Sequence, residues 1–89
     1  MRAIVTVVGP DRVGIIAEVC GLLADCNINI IDISQTVMQD FFTMMMLADT
    51  SKSNTDFDGV AEALEKKGQE MEITIRIQRE DIFKAMHRI

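Results

Sequence analysis

Ala3-Ile4-Val5-Thr6-Val7-Val8-Gly9-Pro10-Asp11-Arg12-Val13-Gly14-Ile15-Ile16 is the stretch whose reading decides the fold. The β-branched run Ile4 to Val8 predicts a first strand over about Arg2 to Val8. Pro10 lacks an N–H and is expected to end it. Asp11 then reads as a helix N-cap, its carboxylate accepting the backbone N–H of Val13 or Gly14. The unpaired N–H groups of such a helix start carry partial positive charge and favour a small anion such as a carboxylate. Gly14 lets a ligand or another backbone approach that first turn closely. The stretch offers a binding pocket and no evident catalytic apparatus.

Working outward, a first helix is predicted from about Arg12 to Asp25. Its apolar face carries Ile15, Ile16, Val19, Leu22, Leu23 and Cys26, with Glu18 and Asp25 opposite. Asn27 is the expected stop, and a second strand runs from about Ile28 to Met38. In it Ile31, Ile33 and Val37 alternate with Asp32, Ser34 and Thr36, the pattern of a strand with one buried face. Gln39-Asp40 is a short polar break that suits a hairpin turn. The third strand, Phe41 to Asp49, is apolar on both faces and is therefore expected to be central. Asn54 or Thr55 is the expected cap of a second helix with the stripe Phe57, Val60, Ala61 and Leu64, and Gly68 its stop. A fourth strand, Glu72 to Arg79, turns Ile73, Ile75 and Ile77 inward. A short amphipathic helix from Glu80 closes the chain with Ile82, Phe83, Met86 and Ile89.

The order β-α-β-β-α-β with right-handed crossovers predicts a ferredoxin-like α+β sandwich: a four-stranded antiparallel sheet with two helices on one face, plus the C-terminal helix. Strands one and three are then central, two and four edges. Two helices cover one sheet face only, yet the third strand asks for cover on both. Either the terminal helix folds back over the open face or a second subunit does, and a chain this small favours a homodimer. An apolar open face favours pairing through the sheet faces over joining of edge strands.

Eighty-nine residues make one domain, residues 1–89, with a core over 2–79 and a C-terminal helix over 80–89. A formal net charge of −5 argues against a nucleic-acid partner, and no apolar stretch is long enough to span a membrane. The N-terminus goes straight into a strand, so no signal peptide is expected. Cys20 and Cys26 lie on one helix, pointing in different directions, and read as two buried thiols of a cytoplasmic protein.

The Gly-Pro-Asp-Arg-Val-Gly-Ile-Ile turn, the Asn27-Ile28-Asn29-Ile30 entry to strand two and the element order together resemble an ACT domain. The likeness covers about residues 2 to 79 and is nearest to free-standing ACT proteins and to the domains of the glycine cleavage system transcriptional repressor. The resemblance implies a small regulatory module that binds an amino acid or related metabolite at a subunit interface, without a cofactor. It further implies that the ligand is held by Gly9 to Gly14, with Val13 and Gly14 backbone groups at its carboxylate and Asp11 at its amino group. Arg12 would attract the anion, and Asn29 would be a further contact. Two departures stand out: Val13 replaces a common Pro, and Gly9 stands where some serine-binding members carry a ligand-contacting His.

Plainer roles exist for each residue. Asp11 needs none beyond capping, Arg12 suits a solvated first turn, and Asn29 also suits local backbone bonding. His87 stands alone near the terminus as a surface residue. The methionines from Met38 to Met86 suit core and interface filling. Asp32 and Ser34 share a strand face without a His, and no metal-ligand spacing, P-loop or dinucleotide motif occurs, so no enzyme is expected. The competing expectation is a ligand-free protein–protein interaction module. An RNA-binding domain of the same topology is disfavoured by the absence of Tyr and Trp.

Overall fold

The computed structural model describes residues 1–10 and 13–86, the last of these without its side chain. Chain order is β1 (Arg2–Pro10), α1 (Ile15–Asp25), β2 (Asn29–Met38), β3 (Phe41–Asp49), α2 (Phe57–Met71), β4 (Thr74–Arg79) and α3 (Glu80–Met86). The strands form one antiparallel sheet in the order β2-β3-β1-β4, the expected ferredoxin-like arrangement with β3 and β1 central.

Alternation in the two central strands fixes which face is buried. Val5 lies opposite Met46 and Ile77, and Val7 opposite Met44 and Ile75, so these side chains share one face. That face packs on Ile15, Val19 and Leu23 of α1 and on Val60 and Leu64 of α2 to make the core. The helices are also tied at the surface, where Lys67 Nζ lies 3.1 Å from Glu18 and 3.7 Å from Glu70. The result is a slab about 34 × 34 × 20 Å, one layer of helix on one layer of sheet.

Several boundaries differ from those read in the sequence, each for a physical reason. Pro10 does not end β1 at Val8; Gly9 pairs with Phe42 and Pro10 with Phe41. Beyond Val8 the β4 neighbour is gone, so Pro10 has a strand on one side only, where a missing N–H is tolerated. Helix α1 begins at Ile15 rather than near Arg12, and its N-cap is Gly14. Asn27, as expected, takes the left-handed conformation after the helix at φ 58°. The cap of α2 is Asp56, which accepts the Gly59 N–H at 2.8 Å. Asn54 instead donates to the Asp25 carbonyl at 2.8 Å, closing the C-terminal end of α1. Gly68 does not stop α2, which runs on to Met71 and ends on Glu72 at φ 58°. Its missing Cβ makes room for the chain entering β4, since a Cβ there would lie 2.7 Å from the Ile73 carbonyl oxygen. Glu72, spent on that cap, is consequently outside β4.

Strand β2 shows the largest difference. Ile33 pairs with Met46 and Val37 with Phe42, so both point to the helix side, but they remain 44% and 53% exposed. The helices of one chain leave this edge uncovered, so the buried face expected of β2 is not buried within the protomer. Nor does the terminal helix cover the far side of β3. Helix α3 packs on β1 and β4, held by a bidentate Arg2–Glu80 pair at 3.0 and 2.7 Å, and Phe41 stays 62% exposed. The expected contributions of His87, Arg88 and Ile89, and of the Met86 side chain, lie outside the described residues. Among the described residues no helix is long and apolar enough to cross a membrane.

Replacing Asp56 with Ala should lower the unfolding free energy by about 0.5–2 kcal/mol, because the Gly59 N–H loses its acceptor. Thr55→Ala should stay within about 0.5 kcal/mol of the parent. Urea denaturation of the two variants separates the observed cap from the one expected of Thr55.

Candidate ligand site at two ends of one sheet

The two halves of the expected site are built differently. At one end, β1 delivers Gly9 and Pro10 to the loop before α1. Gly9 lies on the core side of the strand, and a Cβ added to it would meet Ile73 Cγ2 at 2.6 Å and Ile73 Cβ at 2.9 Å. The residue is glycine for close packing, and any larger side chain there would point into the core rather than at a ligand.

Gly14 has a different reason. It sits at φ 93° and ψ −4°, with nothing within 4 Å of the place a Cβ would occupy. Backbone conformation, not space, selects glycine here. Its carbonyl accepts the Glu18 N–H at 2.9 Å, while among the described residues no side chain caps the helix start. Among the described residues no side chain accepts from the N–H groups of the first turn of α1, which begins beside a fully exposed Val13. Asp11 and Arg12, expected to face the amino group and attract the anion, lie outside the described residues.

Asn29 stands at the opposite end. It pairs with Asp49 on β3, whereas Gly9 pairs with Phe42. From Phe42 to Asp49 the strand rises about 23 Å at roughly 3.3 Å per residue. One chain does not bring Asn29 to the Gly9–Gly14 loop.

Asn29 instead borders a shallow cavity of about 400 Å³ with Asn27, Asp49, Ser51 and Lys52. Asn27 Nδ2 donates to the Lys52 carbonyl at 2.7 Å and holds the 50–53 loop in place. The Asp49 carboxylate accepts the Ser51 N–H at 2.9 Å. The hydrogen bonds from Ser51, aided by the N-terminal ammonium and Lys52, hold its carboxyl below the ordinary value of 3.8. Asn29 thus has an ionised carboxylate beside it at neutral pH, together with a lysine. Asp49, Ser51 and Lys52 were not anticipated as site residues, because in sequence they form an ordinary polar loop. Only the pairing of β2 with β3 places them against Asn29.

Elsewhere the chemistry is quiet. Among the described residues no group of three His, Cys, Asp or Glu side chains is placed to hold a metal. Burial pushes the Cys20 thiol up from its ordinary value, which disfavours the reactive thiolate.

Against known families, residues 2–78 match the model of the ACT domain. The chain belongs to the ACT domain family. A UPF0237 protein from Listeria innocua is 53% identical over 89 residues, covering all of both chains. Among solved structures, an ACT domain protein from Streptococcus pneumoniae superposes with a TM-score of 0.82 at 45% identity, over 98% of each chain. A protein described as a glycine cleavage system transcriptional repressor superposes with a TM-score of 0.74 at 32% identity, over 86% of this chain and 44% of its own. The similarity to ACT regulatory proteins sets the coarse class, a regulatory ligand-binding module.

For this ACT domain the lowered Asp49 carboxyl gives a signed pH expectation. A group depressed in the folded state adds stability above its unfolded value and loses it as pH falls through the folded value. Thermal unfolding followed from about pH 5 to about pH 2 should show Asp49→Asn losing less stability than the parent over that window.

Proposed function

We propose that this ACT domain binds a small amino acid or related metabolite across a homodimer and relays its occupancy to a partner protein in the cytoplasm. The observation that carries the reading is the separation of the two half-sites within one chain. The N–H groups at Gly14–Ile16 suit a carboxylate, and Asn29 with Asp49 suits an ammonium group, yet they lie at opposite ends of the sheet.

A second copy supplies the missing half if two β2 edges join antiparallel. The two-fold axis then carries the partner's Asn29 to the end of the sheet where this protomer's Gly9–Gly14 loop sits. Asp11 and Arg12 of the same loop would complete the grip. Strand β2 has the attributes of such an edge: ten residues long, unpaired on one side, with Ile33 and Val37 about half exposed. Native proteins rarely leave an apolar edge of that length open. Ligand held by both subunits favours the paired state, and the relay is bounded by its difference in affinity for the states it couples. No catalytic role is assigned, and no cofactor is required.

A thermal-shift panel of free amino acids tests the reading. A one-site ligand at about 100 times its dissociation constant stabilises by about 2.7 kcal/mol, several degrees for a domain of this size. Mixed dimers test the geometry. Val13→Glu places a negative charge at the helix start and should abolish binding, as should Asn29→Ala. Mixing the two variants should restore one intact site per mixed dimer, counted by calorimetric stoichiometry. A site contained in one chain would recover none. Silence across the whole panel would favour the ligand-free interaction module instead.

A further inference from the structure

Strand β4 ends the sheet order, and among the described residues no strand pairs with its far side. Two cavities, of about 540 and about 470 Å³, lie along this open edge and share Ile77 and Gln78, so together they form one groove. Helix α2 is its wall. Asp58, Ala61 and Glu65 fall on one face of that helix by spacing, and the small Ala61 leaves a low point between the two acids. Charge differs between the two sides of the edge. The helix side presents Asp58 and Glu65, with Asp56 at the helix cap and Arg79 at the end of the strand. Arg76 pairs with Thr6, between the buried Val5–Ile77 and Val7–Ile75 pairs, and therefore points to the opposite face of the sheet. Asp58, Glu65 and Arg76 are exposed and have no ion-pair partner among the described residues.

We infer that this edge receives an extended segment of a different protein as a fifth strand, with Lys or Arg turned toward the α2 wall and an acidic residue opposite Arg76. An open strand edge offers main-chain partners along its length, and the alternate side chains of the incoming strand decide which segment fits. Residues paired across two strands share a face, so the side chain opposite Arg76 lies on the far side of the sheet and its neighbours lie against α2. A long basic side chain suits that position. Its apolar stem covers Ala61 while its charged head reaches Asp58 or Glu65. The same charges exclude a second copy of this chain. Two β4 edges joined about a two-fold axis at Arg76 would set arginine against arginine on one face, and would bring two acidic α2 walls together on the other. The edge thus repels its own kind and accepts the opposite pattern. It lies across the sheet from β2, so it supplies the partner surface of the proposed module without depending on the ligand or on the β2-edge dimer.

The probe is a capped peptide, Lys-Thr-Lys-Glu-Lys-Thr-Lys, titrated into the isotope-labelled chain and followed by amide chemical shifts. Shifts should gather at β4 and along the Asp58–Glu65 side of α2, and leave β2 unmoved. N-methylation of one alternate set of peptide amides should abolish binding and of the other set spare it, because only one set faces β4. Glu65→Lys should weaken binding about fivefold. Arg76→Glu should invert the preference between this peptide and one with Lys in place of its Glu, a readout that general attraction to an acidic protein would not move. Both variants alter exposed side chains, and their unliganded spectra report that the fold is kept. Absence of shifts at β4 with peptide at ~1 mM overturns the inference. So does binding that survives both patterns of N-methylation, or that is matched by a peptide of the same composition in scrambled order. Each of these results leaves the ligand-binding reading intact, because the amino-acid panel reports on the other edge of the sheet.

Discussion

The antiparallel pairing of β1 with β3 is the interaction on which everything else rests. Val5 against Met46 and Val7 against Met44 are fully buried, and they commit one face of both strands to the helices. A slip of one residue would turn that whole row to solvent, so the register is strongly specified. Once it is set, β2 and β4 have only the outer positions left, and the loop before α1 and the start of β2 are sent to opposite ends. The separation of these two segments is therefore a consequence of core packing, not a separate feature.

Much of the fold was legible in the sequence because it follows from periodicity. The clean alternation of Ile73, Ile75 and Ile77 and the doubly apolar Phe41–Leu47 run identified an edge and a centre, and the sheet order agrees. Less was legible where several residues compete for one local role. Asn54, Thr55 and Asp56 are all good caps, and only the approach of the α1 C-terminus decides that Asn54 serves Asp25 while Asp56 serves Gly59. Gly68 looked like a terminator because sequence alone does not reveal a strand passing beside a helix interior. Asp11 looked like the helix cap, whereas the helix starts four residues later behind a left-handed glycine.

The candidate site was legible in its parts and not in its arrangement. Gly14 and Asn29 were both singled out, but nothing in one chain's sequence states that they end up at opposite ends of the sheet. Gly9 illustrates a second limit, since its glycine is explained by Ile73 across the core and not by any ligand. The polar surroundings of Asn29 emerge only when the 50–53 loop is folded against the end of α1. In each case the missing information is long-range, and it comes from the sheet.

Placing the first strand of the chain at the centre of the sheet also shapes how the molecule is made. During synthesis β1 emerges first, but its neighbours β3 and β4 follow only after α1 and α2 respectively. The Ile4–Val8 segment therefore waits without a partner until β3 begins at Phe41, and the core closes through contacts between distant parts of the sequence. Such a topology folds late and slowly compared with a helical bundle of equal length. In that interval an unpaired β-branched segment is open to the wrong neighbour, and the lack of a local partner is the kinetic counterpart of the stability its central position provides.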